Sequence, residues 1–337
     1  MQKIKISYTN TITLEHLLEV WQQFVKGKRN RRDVADFEVR LVDNLVVLQR
    51  ELVQGTYRHG RYTPFTISDP KPRSIHKARV RDRVVHHLLY RMLYVYFDMR
   101  FVYDSYSCRV EKGTHKALER FRKFALTVSC NYTRTVWVLK CDVRKFFATI
   151  DHIVLKNILH ERIDSLETLS LLENVIDSFC TEGKIGVGLP LGNLTSQLLV
   201  NVYMNEFDQF VKHVLKVQHY IRYSDDFVCL SRDREELVSL LPRIEAFLKD
   251  RLHLDLHPGK VSITTFVAGV DFLGWVHFPN HRVLRTTTKR RMFRALLTEP
   301  KPAVLESYRG MLAHGNTHKL LEKLPGTKDS HWHSIIN

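Results

Sequence analysis

The segment Tyr220 to Leu230, YIRYSDDFVCL, constrains this chain more than any other. Two short runs rich in aromatic and β-branched residues flank an acidic pair, Asp225-Asp226, and this reads as two β runs turning around two carboxylates. An Asp-Asp pair in a turn is ordinary turn chemistry when it stands alone. Between apolar strands it is electrostatically awkward, because each carboxylate disfavours ionisation of the other. A divalent cation is the usual remedy.

The flanking pattern supplies a sheet for that hairpin. Val136–Val143 (VWVLKCDV) reads as a strand ending near Asp142, followed by a turn and helix over Phe147–His160, and by helices over Leu166–Cys180 and Thr195–Val214. After the hairpin come a helix over Arg234–Arg251 and strand-like pieces at Ser262–Val267 and Phe272–Phe278. The order β-α-β-β-α-β with a central hairpin predicts a ferredoxin-like split βαβ sheet. In it a neighbouring strand can bring Asp142 beside Asp225 and Asp226, giving three hard oxygen donors suited to Mg²⁺. Cys141 alternates to the opposite strand face and reads as packing.

Upstream, Leu14, Leu17, Leu18, Trp21 and Val25 predict an amphipathic helix, a basic turn follows at Lys26–Arg32, and a single second helix is expected over Phe37–Leu52. Residues 55–80 are punctuated by Gly and Pro around β-type runs at Tyr62–Ile67 and Ser74–His76, and a helix resumes at Asp82. From Arg282 onward the chain reads as helical and basic. The 337 residues carry 52 Lys+Arg against 36 Asp+Glu, a formal charge of +16, which favours a polyanionic partner such as nucleic acid. Five scattered cysteines without a CxxC pair disfavour a disulfide framework or zinc ribbon. The longest uncharged run, Ile185–Asn205, holds too many Gly, Pro and polar residues for hydrocarbon, and the N-terminal residues lack an apolar signal core. No membrane partner is expected.

In this order the motifs resemble a reverse transcriptase over most of the chain. Tyr223 to Asp226 resembles the family's catalytic box, and LKCDVRKFF, Leu139 to Phe147, resembles its first metal-ligand motif. KPRSIHKARVRDRVV, Lys71 to Val85, resembles the motif that holds the incoming triphosphate. YDSYSCRVEKGTHKAL resembles the next block, with Arg109 and Gly113 at its marked positions; HPGKVSITT resembles the motif carrying a lysine near the active site, here Lys260; and FLGW, Phe272 to Trp275, resembles the primer-grip hairpin.

The resemblance implies an α+β right-hand polymerase: fingers over about 1–135, palm with a ferredoxin-like antiparallel sheet over about 136–280 (with a helical, fingers-type insertion at about 152–185), and a short helical thumb and tail over 281–337. It implies that Asp142, Asp225, Asp226 and the Val143 carbonyl hold two Mg²⁺, with Mn²⁺ able to substitute. Nucleotide contacts are expected from Lys71, Arg73, Phe147, Leu191, Gly192, Gln197 and Lys260, with Phe147 under the sugar, where a ring excludes a 2′-hydroxyl. Primer contacts are expected from Phe272, Leu273, Gly274 and Trp275.

The subgroup is read from GLPLGNLTSQ, Gly188 to Gln197. Many reverse transcriptases, retroviral and group II intron types included, carry Gln-Gly and Ser-Pro there; this chain has Leu191-Gly192 and Ser196-Gln197. That pattern resembles the enzymes of diversity-generating retroelements, which copy a template RNA into cDNA with errors opposite adenines and retrohome the product. The likeness implies template RNA, primer and dNTPs as partners, a small basic oligomeric accessory protein, and the cytoplasm of a bacterial, archaeal or phage-infected cell. A retron-type or defence-associated enzyme is the nearest alternative, though the retron-associated Asn-Ala-x-x-His and Val-Thr-Gly signatures are missing. A full group II intron protein is disfavoured, since no maturase or endonuclease extension follows the expected thumb. A catalytically silent RNA-binding scaffold is the alternative of another class, and the complete set of three carboxylates weighs against it. His331-Trp332-His333 reads as a polar tail, and His86-His87 as surface or core histidines.

Overall fold

A computed structural model describes residues 3–68, 72–297, 302–322 and 324; Lys71 and the His331-Trp332-His333 tail lie outside the described residues. The strands among them are β1 (Thr63–Ile67), β2 (Arg73–Lys77), β3 (Trp137–Asp142), β4 (Tyr220–Tyr223), β5 (Asp226–Ser231), β6 (Ser262–Thr265), β7 (Val270–Phe272), β8 (Trp275–His277) and β9 (Arg282–Leu284). β3 to β6 form one antiparallel sheet in the order β4-β5-β3-β6. The helix Arg234–Leu252 connects β5 to β6, and a helical excursion connects β3 to β4. This is the split βαβ arrangement.

The two central strands, β3 and β5, are buried on both faces, so their alternate residues enter two different cores. Leu139, Cys141, Phe227 and Cys229 pack into a core shared with Phe207 of the helix Leu194–Gln209 and with Leu237 and Ile244 of Arg234–Leu252. Val138, Val228 and Leu230 face the other way, into a core with Phe121 of the helix Thr114–Val128 and with Phe272 and Trp275. Phe121, Phe207, Phe227 and Phe272 are fully buried, and each side chain of that kind contributes about 1.5–3 kcal/mol.

The first core continues into the N-terminal helices. Thr13 caps the helix Leu14–Val25 by accepting from the His16 amide, and Leu17, Val20, Trp21 and Phe24 bury its inner face. That helix packs on Val80–Asp98, which in turn packs on Leu194–Gln209. The second core extends to the C-terminal helices Thr286–Leu297 and Pro302–Leu312 through Met292, Leu296 and Leu312.

Four elements differ from the sequence expectation, one being the strand piece over Phe272–Phe278, which a turn at Leu273-Gly274 splits between β7 and β8. The single helix over Phe37–Leu52 is two, Arg32–Glu38 and Leu41–Val53. At the break Asn44 Nδ2 donates to the Phe37 carbonyl (2.9 Å), the acceptor that the Leu41 amide would use in a continuous helix. The strand expected over Ser262–Val267 stops at Thr265, and a 3₁₀ turn, Phe266–Ala268, buries Phe266. Arg282–Leu284, expected as helix, is β9 instead, pairing Val283 with Val276 and Leu284 with Trp275 in the sheet β7-β8-β9. Pairing with β8 outweighs local helical propensity there.

Candidate active site

The antiparallel register of β3 and β5 places Asp142 directly opposite Asp226. β4 and β5 are joined at the Tyr223↔Asp226 pair, leaving Ser224-Asp225 as a two-residue turn with Ser224 in the left-handed region at φ 60°. The turn is fastened to the end of β3, because the Val143 amide donates to the Asp225 carbonyl (3.0 Å). The His257 amide donates to the Asp142 carbonyl (2.7 Å), which brings the loop carrying Lys260 alongside. Lys260 Nζ then donates to Asp142 Oδ1 at 2.7 Å.

The electrostatics of this corner are those of crowded acids. Burial first, and the Asp142 charge second, raise the pKa of Asp225; the charges of Lys260 and Arg73 oppose the rise. Asp226 is pushed up to about 7, chiefly by burial, with Lys140 opposing and Asp142, Asp225 and Asp271 adding to the shift. Lys140 Nζ lies 3.8 Å from Asp226 Oδ2 and donates to the Asp271 carbonyl at 2.6 Å. Asp226 Oδ1 is buried with no hydrogen-bond partner. A buried carboxylate oxygen without a donor is costly, and hard oxygens of this kind suit a divalent cation. Among the described residues no three His, Cys, Asp or Glu groups are gathered into a metal cluster, and Lys260 takes one oxygen of Asp142.

Arg73 opens β2 and is exposed, near enough to Asp225 for its charge to act there. The loop before the helix Leu194–Gln209 docks on the same strand: the His76 amide donates to the Leu191 carbonyl (3.1 Å), and Asn193 Nδ2 donates to the His76 carbonyl (2.9 Å). Gly192 has φ 98°, and a Cβ there would stand 2.6 Å from Ile75 Cγ2, so the close approach of loop and strand requires glycine. Phe147 is half-buried, and its carbonyl accepts from the Leu189 amide (2.7 Å), while Phe146 beside it is core. Gln197 lies in the first turn of the helix, half-buried. The hairpin β7-β8 turns at Leu273 and Gly274, both left-handed (φ 50° and 86°), with Phe272 and Trp275 buried at its base. It is tied to the acids through Lys140 and the Asp271 carbonyl.

The model of the family described as reverse transcriptase (RNA-dependent DNA polymerase) matches residues 68–277, a span that holds all three aspartates, Lys260 and the β7-β8 hairpin. The chain belongs to the reverse transcriptase family. It is similar to protein YkfC of Escherichia coli, 27% identical with 78% of this chain and 77% of that protein covered. It is also similar to the group II intron-encoded protein LtrA of Lactococcus lactis, 21% identical with 62% of this chain covered but only 44% of LtrA. In three dimensions it resembles apo telomerase from Candida tropicalis truncated from its C-terminal domain, with a TM-score of 0.51 and 10% identity over 72% of this chain and 60% of that one. The fold is the α+β right hand of a polymerase.

This reverse transcriptase also carries residues that the sequence reading passed over. Arg222 and Asp208 are both completely buried and form a bidentate ion pair, Nε to Oδ1 and Nη2 to Oδ2 at 2.7 Å each. An arginine in an otherwise aromatic and apolar strand, two residues before Ser224 of the acidic turn, is the available signal. Lys140 is the other residue missed, legible only once Asp226 and Asp271 lie beside it. Arg109, by contrast, is an internal staple that pairs with Asp98 (2.7 Å) and donates to the carbonyls of Val102 and Ser105. Gly113 begins the helix Thr114–Val128 at φ 96°. His86 is core, buried between His59 (3.1 Å) and Thr195, with burial lowering its pKa to about 3. Cys141 is buried and its thiol pKa is raised by burial, as packing requires.

Proposed function

We propose that the chain copies a template RNA into cDNA at the corner built by Asp142, Asp225 and Asp226. The observation that carries the proposal is the register of Asp142 opposite Asp226, with Asp225 in the adjoining turn and a donor-free oxygen on Asp226. The three side chains and the Val143 carbonyl would hold divalent cations, Mg²⁺ in the cell and Mn²⁺ as its substitute. Such ions would supply activation of a primer 3′-hydroxyl and neutralisation of the departing pyrophosphate.

The chain's own groups do the rest. Arg73, with Lys71 on the same motif, binds the triphosphate of the incoming nucleotide, where an arginine fork suits phosphate oxygens. Phe147 lies under the sugar and excludes a 2′-hydroxyl. Leu191, Gly192 and Gln197 border the nascent base pair, and Lys260 stands beside the reacting phosphates. Phe272, Leu273, Gly274 and Trp275 hold the primer end, and the basic helix Thr286–Leu297 follows the duplex by phosphate contact. Fingers over 1–135, palm over 136–280 with the insertion at about 152–185, and thumb from 281 are the division that fits these roles.

Within the family we assign the chain to the diversity-generating retroelement type, on Leu191-Gly192 and Ser196-Gln197. That assignment brings errors opposite template adenines, mutagenic retrohoming, a basic oligomeric accessory protein and a cytoplasmic setting. A second reading, a group II intron-like enzyme that copies faithfully, is favoured by the similarity to YkfC and LtrA. Primer extension on an adenine-rich RNA template with Mg²⁺, followed by cDNA sequencing, separates them. Asp225→Asn should lower extension by at least about 1000-fold if Asp225 holds a cation, and retained extension would refute the site. Errors concentrated opposite adenine support the retroelement reading, and uniform fidelity supports the second.

A further inference from the structure

A buried ion pair is weak evidence for stability, since two charges leave water and apolar residues of like volume often do as well. The Arg222–Asp208 pair calls for another account. Both side chains are completely buried, and Tyr220 adds a third polar group by donating to Asp208 Oδ1 (2.6 Å).

A guanidinium has five N–H donors, and here each finds an acceptor. Nε donates to Asp208 Oδ1 (2.7 Å). Nη2 donates to Asp208 Oδ2 (2.7 Å) and Ser105 Oγ (3.0 Å). Nη1 donates to Asn201 Oδ1 (3.3 Å) and to the backbone carbonyl of Ser224 (3.0 Å). The backbone of Arg222 is held equally well: its amide donates to the Asp104 carbonyl and its carbonyl accepts from the Tyr106 amide, both at 3.0 Å. Asn201 is fixed in turn by donating to the Ser107 carbonyl (2.8 Å). The 104–107 segment, the helix Leu194–Gln209 and β4 therefore converge on one side chain.

The fifth contact is the one that reaches the chemistry. Ser224 has φ 60°, a left-handed conformation that a residue with a Cβ adopts only when its surroundings impose it. Its carbonyl belongs to the peptide that leads into Asp225. Resting on the polymerase reading above, we infer that Arg222 is a positioning residue of the reaction: by gripping the Ser224 carbonyl it sets the plane of the Ser224–Asp225 peptide, and so the direction in which Asp225 and Asp226 present their carboxylates. Asp208, which accepts from both Nε and Nη2, and Asn201 hold the guanidinium in the attitude this requires; the Ser105 contact on Nη2 is not needed for it. Displacement of reacting groups by about 1 Å is enough to cost on the order of 100-fold in rate.

Arg222→Lys tests this, because lysine keeps a positive charge beside Asp208 but has no fork to reach the Ser224 carbonyl at the same time. Kinetics are measured per folded, template-bound molecule, with Ser105→Ala and Asp225→Asn alongside. Arg222→Lys should lower kcat by roughly 10- to 100-fold with the KM for dNTP changed less than about 3-fold. Binding of Mn²⁺ without substrate, followed by electron paramagnetic resonance, should weaken several-fold. Ser105→Ala removes an acceptor remote from Ser224, and should lower the melting temperature while leaving kcat and Mn²⁺ binding unchanged. Wild-type kcat and Mn²⁺ affinity in Arg222→Lys would overturn the inference, as would an equal loss in Ser105→Ala. If Arg222→Lys does not fold, Asp208→Asn takes its place: it should shift Mn²⁺ affinity in the same direction, and an unshifted value overturns the inference. No extension by the unmutated chain would instead sink the polymerase reading, and extension retained in Asp225→Asn would sink the site, which separates those failures from this one.

Discussion

Asp226 shows at the scale of one residue how a site can hold energy in reserve. Burial and three neighbouring carboxylates raise its pKa to about 7, so the folded state prefers it protonated. The sign follows from linkage. A carboxyl whose folded pKa lies above its unfolded value near 3.8 favours folding at low pH, and that contribution is lost as pH rises through the folded value near 7. Without cations the melting temperature should therefore fall between pH 5.5 and pH 8, at about 2–4 °C for each kcal/mol in domains of 150–250 residues. Asp226→Asn should flatten that fall. Mg²⁺ should raise the melting temperature at pH 8 and have little effect at pH 5.5, because only the ionised site attracts it. Calorimetry at the two pH values checks this, and equal stabilisation by Mg²⁺ at both would exclude a cation at Asp226. The acidic pair itself was legible because its neighbours in sequence are apolar. Its environment was not, since Lys140, Lys260 and Asp271 reach it from three separate strands and loops.

At the scale of elements, the order of strands and helices and the split βαβ plan could be read from the sequence, whereas the register and the third sheet, β7-β8-β9, could not. The β4-β5-β3-β6 order depends on side chains far apart in sequence filling two cores at once. Where local and tertiary preferences disagree the latter prevail, as in β9, where a stretch with helical character extends a sheet, and at Asn44, whose side chain ends one helix and lets another begin. The hairpin β1-β2 makes the same point. A two-stranded sheet is marginal on its own, and this one gains its support from the loop that carries Leu191 and Gly192. Gly192→Ala should cost roughly 1–3 kcal/mol, from a left-handed backbone and a clash with Ile75. It should also raise the KM for dNTP, because Arg73 stands on the displaced strand. Adding Ile75→Ala should recover part of both losses; thermal melting and steady-state kinetics on the single and double variants measure it, and no recovery would place the cost in the backbone alone.

The whole molecule adds a field to these local effects. A formal charge of +16 is spread over a chain whose C-terminal helix Thr286–Leu297 exposes Lys289, Arg290 and Arg294. Phosphate contacts release counterions, so affinity for a template–primer duplex should fall by about 10³–10⁵ between 50 and 200 mM salt if 6–10 contacts form. Replacing Lys289, Arg290 and Arg294 by Gln should make the slope of log affinity against log salt shallower by about 2–3 while leaving kcat at saturating duplex near its original value. Filter binding across a salt series checks both, and an unchanged slope would remove this helix from the duplex path. No helix among the described residues is long and apolar enough to cross a membrane.

By itself the sequence determined what is encoded within a few residues of one another: the alternation of strands, the acidic turn in an apolar setting, the basic surplus, and motifs whose chemistry reads locally. The family and the polymerase fold follow from those. Asp142 was expected beside Asp225 and Asp226, and Lys260 near them; only the tertiary structure decided the register, the ion pairs and the buried partners. Asp142 faces Asp226 through strand register, Lys260 reaches Asp142 across the loop at His257, and Arg222 is turned inward onto Asp208 and the Ser224 carbonyl. The physical reason is range. Periodicity and turn propensity act between chain neighbours, whereas burial, pKa shifts and the full satisfaction of a guanidinium depend on groups far apart in sequence, 117 positions between Arg222 and Ser105 and 131 between Lys140 and Asp271, that only the folded core brings into contact.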